Sequence, residues 1–363
     1  MPDLRPAAAA TLSQGVCIPA HPLAVTESGD LDREAQSALT CYYLDAGAEA
    51  LAVGVHTTQF EIREHGLYRE VLELAAVTCV EWGARPVLIA GVCGPTEQAC
   101  WEAEVARELG YDLAMVSLRG LDGSEEELVR HVREVGEVLP AMGFYLQAAV
   151  GGRPLSSGFW RELANLECVR AIKIAPFNRY ATVDVVRGVA QSGRAADVAL
   201  YTGNDDNIVV DLLTVYEVHG GDGAVRMPIV GSLLGQNAVG YTRAREIFIA
   251  AQQARVSGMV AGELLTTAAR LTDFNAAVFD VAGDFKGCII GVNEVLVRDG
   301  LLATNRLLDA DVTISESHGA ILGQALEEFS DLRDVEFVRA RRPVWREVAR
   351  RAVSRAGCAD AAV

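Results

Sequence analysis

Short apolar runs recur roughly every 25 to 35 residues, and longer stretches with apolar positions three and four apart fill the intervals. Eight runs are found, near Val16–Pro19, Ala50–Val53, Val87–Ala90, Leu113–Val116, Met142–Leu146, Ala171–Ile174, Val198–Tyr201 and Pro228–Val230. Between them the periodicity predicts helices over Asp32–Ala46, Leu67–Trp82, Thr96–Leu109, Ser124–Val138 and Asn207–Val218, several opened by Asp, Thr, Ser or Asn caps. Eight strand-helix units close a barrel, so the expected class is α/β, a (β/α)8 TIM barrel. From Tyr241 through Leu326 the pattern is purely helical, and the only later strand signal is Glu336–Val338. A C-terminal helical extension is therefore expected. The division reads as a disordered or loosely packed tail over 1–13, the barrel over 14–240 and a helical region over 241–363. No long Gly/Pro/Ser linker separates the last two, and no repeat stands out beyond the strand-helix period.

Composition narrows the classes of partner. A length of 363 residues leaves room for a barrel of about 250 residues with added elements. Half the residues are apolar, yet no uninterrupted apolar run approaches the roughly 18 residues of a membrane-spanning helix. The N-terminus lacks the basic start and long apolar core of a secretory signal, so a soluble cytoplasmic protein is expected. A formal charge of -17 repels phosphate backbones and anionic membrane surfaces, and nucleic acid is not an expected partner. Arg339 to Arg355 is arginine-rich, and fits either a solvated helix packed on its own barrel or a strip meeting an acidic face. The eight cysteines are scattered singly without a C-x-x-C pair, as expected of reduced thiols.

The most informative residue is the rarest cation. There are only two lysines, Lys173 and Lys286, against 30 arginines. Arginine stays protonated in proteins, whereas a desolvated lysine becomes a nucleophilic amine. Lys173 lies in the strand-like run V-R-A-I-K-I-A-P, where alternation turns it inward, and desolvation there favours the free amine that attacks a ketone. A buried ion pair with an acid such as Asp205 is the plainer alternative. Lys286, in D-F-K-G, reads as a structural or helix-surface lysine.

Barrels do their chemistry at the C-terminal ends of the strands. Those ends carry His21, the G-V-H-T-T-Q loop with His56, Thr57, Thr58 and Gln59, then Tyr145 and Gln147 with Arg153 beyond, Lys173, Gly203 and Asn204, and Gly231 and Ser232. Tyr145 ends the strand preceding that of Lys173, so its hydroxyl is a candidate proton shuttle, and Thr57 and Thr58 offer hydroxyls to hold a carboxylate or relay a proton. Gln59, Gln147, Arg153, Gly203, Asn204, Gly231 and Ser232 are candidates for holding substrate.

This arrangement resembles the dihydrodipicolinate synthase and N-acetylneuraminate lyase family, over roughly residues 14 to 300. A-H-P-L followed by S-G-D-L-D is similar to the family's opening T-P-F and G-x-x-D, V-H-T-T-Q to its G-T-T-G-E, and A-G-V-C-G-P-T to its A-G-V-G-x-N-x-T. Tyr145 falls on the tyrosine of Y-N-x-P, Lys173 on the Schiff-base lysine, and G-N-D-D resembles G-D-D. The separations of 88 positions from Thr57 to Tyr145 and 28 from Tyr145 to Lys173 match the family's pattern. The resemblance implies a class I aldolase or lyase with Lys173, Tyr145, Thr57 and His56 as catalytic residues, a 2-oxoacid such as pyruvate as substrate, no cofactor, and a homodimer or homotetramer.

Departures shape the expected reaction. The stretch after strand four reads S-L-R-G-L, without the tyrosine that the synthases lend to a neighbouring subunit's relay. Val150 stands where they carry the arginine that holds the second substrate's carboxylate, with Arg153 nearby but offset, and Gln59 replaces the acid of the strand-two motif. His56 adds an acid or base in place of the lost tyrosine. A related aldolase or lyase making or breaking a carbon-carbon bond is expected rather than dihydrodipicolinate synthase itself. Alternatives are a 2-keto sugar-acid dehydratase of the same family and a catalytically silent barrel that binds a small acid. His21, His56, Asp205 and Asp206 lie at strand ends but lack H-x-H or H-E-x-x-H spacing, so no metal is expected. Neither a P-loop nor a strand-linked G-x-G-x-x-G appears, so no nucleotide is indicated either.

Overall fold

The computed structural model describes residues 2–220 and 223–359. Its parallel strands are β1 (Cys17–Pro19), β2 (Ala50–Val53), β3 (Val87–Val92), β4 (Leu113–Val116), β5 (Ala141–Leu146), β6 (Val169–Ala175) and β7 (Ala199–Thr202). An antiparallel pair, β8 (Val215–Gly220) and β9 (Gly223–Pro228), precedes the last parallel strand, β10 (Gly231–Leu234). The eight-stranded sheet runs β1-β10-β7-β6-β5-β4-β3-β2, and a parallel bridge between Ala20 and Ala52 links the line of β1 to β2. This is a nearly closed (β/α)8 barrel. Seven of its strands are wholly or almost wholly buried, because in a parallel barrel both faces of each strand are covered.

The helices among the strands are α1 (Pro6–Gln14), α2 (Arg33–Asp45), α3 (Tyr68–Trp82), α4 (Thr96–Glu108), α5 (Glu125–Val138), α6 (Ser157–Asn165), α7 (Arg179–Ala190) and α8 (Ile208–Leu213). The extension adds α9 (Tyr241–Ser257), α10 (Gly262–Val278), α11 (Cys288–Asp299), α12 (Glu316–Glu328) and α13 (Val335–Ala359). Several begin where a side chain satisfies an otherwise orphaned backbone N–H. Asp32 accepts from Ala35, and Ser124 and Glu127 cap each other reciprocally.

Four expectations are corrected. The eighth barrel strand begins at Gly231 rather than at Pro228–Val230, which lead out of the hairpin. The helix expected through Val218 stops at Leu213, because Val215 enters β8. Glu336–Val338 belongs to α13, where Val338 is one of its buried residues. Within the stretch 1–13, expected as a disordered or loosely packed tail, α1 begins at Pro6: Ala8 and Leu12 are buried, the Leu12 carbonyl accepts the Tyr201 hydroxyl at 2.8 Å, and Arg5 pairs with Asp112 at 2.7 Å.

The chain condenses into two compact units whose limits do not follow a cut at residue 240. One comprises Met1–Cys17, Ile89–Leu234 and Ile247–Ala269, the other Ile18–Leu88, Gly235–Glu246 and Arg270–Val363. In the first, Trp160 and Phe159 of α6 pack edge to face beside β5. In the second, Tyr42, Tyr43, Tyr241, Phe337 and Trp345 form an aromatic cluster with ring centroids 4.9 to 6.2 Å apart. The arginine-rich segment is the body of α13, and it meets acids of its own unit. Asp45 receives Arg341 at 2.6 Å and the Trp345 indole N–H at 2.8 Å, and Glu81 receives Arg355 at 2.8 Å. No helix among the described residues is long and apolar enough to cross a membrane.

Candidate active site

Strand register decides which side chains share a face. Lys173 pairs with Phe144 on β5 and with Tyr201 on β7, while Ile174 pairs with Tyr145. A Cβ added at Gly143 would lie 2.9 Å from Leu163 of α6, so odd positions of β5 face the helices. Phe144 and Lys173 therefore face inward. Lys173 is buried, and its Nζ lies 4.5 Å from the centroid of the Phe144 ring, whose face attracts a cation. Gly203 is shaped to the lysine, since an added Cβ would come within 2.7 Å of Lys173 Cε. Any larger residue there would push the amine aside.

Asn204, one position on, is fully buried and turned into a polar network. Its Oδ1 accepts from the backbone N–H of Phe177 at 3.0 Å, and its Nδ2 donates to Asp211 at 3.0 Å and to Thr182 at 3.3 Å. Asp211, also fully buried, accepts from Thr202 at 2.6 Å and Asn207 at 3.1 Å and is ion-paired with Arg179. Asn204 thus holds the strand-end backbone. On neighbouring Asp206, burial raises the carboxyl pKa above the usual value, more than Arg179 lowers it. At β10, an added Cβ on Gly231 would overlap the Tyr201 ring at 2.2 Å, and the Ser232 N–H donates to Val16.

The strand-two loop belongs to the other compact unit. Thr57 and Thr58 are buried and donate to the carbonyls of Ala20 at 2.8 Å and His21 at 2.6 Å, which holds the loop to the end of β1. His56 is half-buried, its ring 5.8 Å from that of Phe60. Gln59 is buried at φ 67, and its Oε1 accepts from the Leu308 N–H at 2.7 Å.

His21 is a core histidine rather than a strand-end reagent. Nδ1 faces the Pro22 carbonyl at 2.8 Å and Nε2 the Thr40 hydroxyl at 2.8 Å, so the neutral ring donates to one and accepts from the other. Complete burial pushes its pKa down to about 4. The unfolded chain then binds a proton that the folded one refuses. Stability from this group is complete above the unfolded value near 6.5 and is lost as pH falls from there towards 4, by at most about 3 kcal/mol. Urea titrations at pH 7 and 5 should show a lower midpoint at pH 5, and His21→Gln should flatten that difference. An undiminished difference in the variant would assign it to other groups.

No family model matches the chain. Over 110 residues it is 31% identical to a protein described as a probable 5-dehydro-4-deoxyglucarate dehydratase in two strains of Acinetobacter baumannii. The match takes in 30% of this chain, which spans about a third (35%) of the length of those curated relatives. Solved structures match more widely. The chloride-inhibited dihydrodipicolinate synthase of Acinetobacter baumannii, complexed with pyruvate, superimposes with a TM-score of 0.70 at 17% identity, covering 88% of this chain and 99% of that one. YagE, an E. coli K12 prophage protein of the dihydrodipicolinic acid synthase family in complex with pyruvate, gives 0.69 at 18% identity over 87% and 98%.

This is the dihydrodipicolinate synthase fold.

The resemblance drawn from the motifs is thus met by the fold, and within the dihydrodipicolinate synthase fold the candidate residues can be sorted. Tyr145 is the main correction. It sits on the helix-facing side of β5, its ring 5.0 Å from that of Trp160, and its hydroxyl accepts from the Leu155 N–H at 3.3 Å. The structure does not bring it onto the face that carries Lys173; Phe144 takes that place. Arg153 donates to the carbonyls of Leu121 and Gly123, at 3.4 and 3.0 Å, so it braces the loop after β4. Gln147 is half-buried, and its carbonyl accepts from Gly152 at 2.9 Å. Among the described residues no group of three or more His, Cys, Asp or Glu side chains is placed to hold a metal ion. Lys286 is exposed on the turn before α11. Phe144 and Phe177 were not singled out from the sequence; the pairing of Phe144 with Lys173 became visible only with the register.

Proposed function

We propose that this protein is a divergent member of the dihydrodipicolinate synthase family, a lyase that binds a 2-oxoacid as a Schiff base on Lys173. The observation that carries this is Lys173 itself. In a chain that uses arginine almost everywhere, it is a buried amine on the inner face of β6, beside an aromatic ring and a glycine that leaves it room. In the step proposed, the neutral amine adds to the 2-oxo carbon and water departs, leaving an imine. Loss of a C3 proton gives an enamine. That enamine either expels a hydroxyl from C4 as water, or arises instead by cleavage of the C3–C4 bond with release of an aldehyde.

A second reading favours the first outcome. The 31% identity over 110 residues to a 5-dehydro-4-deoxyglucarate dehydratase supports carbon-oxygen cleavage of a sugar-derived 2-oxoacid. Incubation with 5-dehydro-4-deoxyglucarate and with simpler 4-hydroxy-2-oxoacids, followed by proton NMR, separates the readings. A dehydratase removes the C4 carbinol signal without releasing pyruvate, whereas an aldolase releases pyruvate and an aldehyde together. Turnover of none of them would favour a silent, acid-binding barrel.

A further inference from the structure

Phe177 lies two residues past the end of β6 and four past Lys173, with φ 51. Glycine enters this left-handed region freely, but a bulky side chain rarely does. The turn into α7 therefore suits glycine on conformational grounds and yet carries phenylalanine. What holds it is the network already described. The Phe177 N–H donates to fully buried Asn204, which is gripped by fully buried Asp211 and Thr182. Backbone strain kept in place by such over-determined support clusters at functional sites. This half-buried residue also follows the C-terminal end of β6, the end at which barrels do their chemistry.

Resting on the Lys173 reading above, we propose that Phe177 determines which 2-oxoacids reach Lys173, its ring limiting the bulk tolerated beyond the 2-oxo group. Asn204 and Asp211 are positioning residues that act through it. A hydrophobic wall of this kind discriminates by about 10- to 200-fold for small differences in bulk.

The test is competitive borohydride trapping of the full-length protein with pyruvate and with phenylpyruvate, read by peptide mapping at Lys173. Phe177→Gly should raise the phenylpyruvate-to-pyruvate ratio at Lys173 by about tenfold or more. Phe177→Trp should lower that ratio. Because glycine suits φ 51, the Gly variant should melt no lower than the wild type. If the wild type traps pyruvate on Lys173 while neither variant moves the ratio, the assignment to Phe177 is overturned and the Lys173 reading stands. If the wild type traps neither these two acids nor any other 2-oxoacid there, both fall.

Discussion

Lys173→Met should abolish turnover of any 2-oxoacid substrate, by a factor on the order of 10³ or more, while the protein melts at the same or a higher temperature. The two halves of that expectation come from one cause. The amine is the atom that would form the covalent bond to substrate, so no neighbouring group replaces it. It is also a polar group held in a buried strand against Phe144, and methionine fills the same space without one. Sites built for reaction commonly give up stability in this way. Steady-state kcat/KM and a thermal melt on one preparation check both halves. A variant that keeps more than about a tenth of wild-type turnover would remove Lys173 from the chemistry.

Asp211→Ala should destabilise the fold by about 3 kcal/mol, read as a lower urea midpoint with an unchanged slope. The carboxylate is fully buried, and it accepts from Thr202, Asn204 and Asn207 while pairing with Arg179. Removing it strands several buried donors at once, each of which costs free energy when left unsatisfied. Arg179 is about two-fifths exposed, so its share is small and the figure rests on the hydrogen bonds. Asn204 would lose its anchor as well. The same variant should therefore shift substrate preference in the direction of Phe177→Gly. Asp211→Asn, which keeps an acceptor, should cost less on both counts. A loss below about 1 kcal/mol for the Ala variant would show that water reaches and satisfies the network.

Most of the barrel was legible because burial on both faces writes itself as short apolar runs, and the runs at Ala50–Val53 and Leu113–Val116 coincide with strands residue for residue. The eighth strand was misplaced by a physical accident. G-S-L-L at Gly231–Leu234 has little strand propensity, and its first residue is glycine because Tyr201 fills the space a Cβ would need. The hairpin of β8 and β9 did leave a signal, two alternating runs about G-G-D-G, which a helical period through Val218 obscured.

The site was legible in part for a related reason. Strand alternation showed that Lys173 faces one side, but which residue of β5 shares that side depends on inter-strand register. A slip of one residue exchanges Tyr145 for Phe144. Motif spacing pointed to the tyrosine; pairing gives the phenylalanine. In the same way, Asn204 and Arg153 looked like ligand-binding groups from their positions at strand ends. Only the hydrogen bonds show that one holds Phe177 and the other the loop after β4.

The measurement that bears most directly on the proposed chemistry is borohydride reduction of the wild-type protein in the presence of pyruvate, followed by intact mass and peptide mapping. The expected result is a single reduced adduct on the peptide that carries Lys173, absent from Lys173→Met. An adduct confined to Lys286, or none with pyruvate or any other 2-oxoacid, would contradict it.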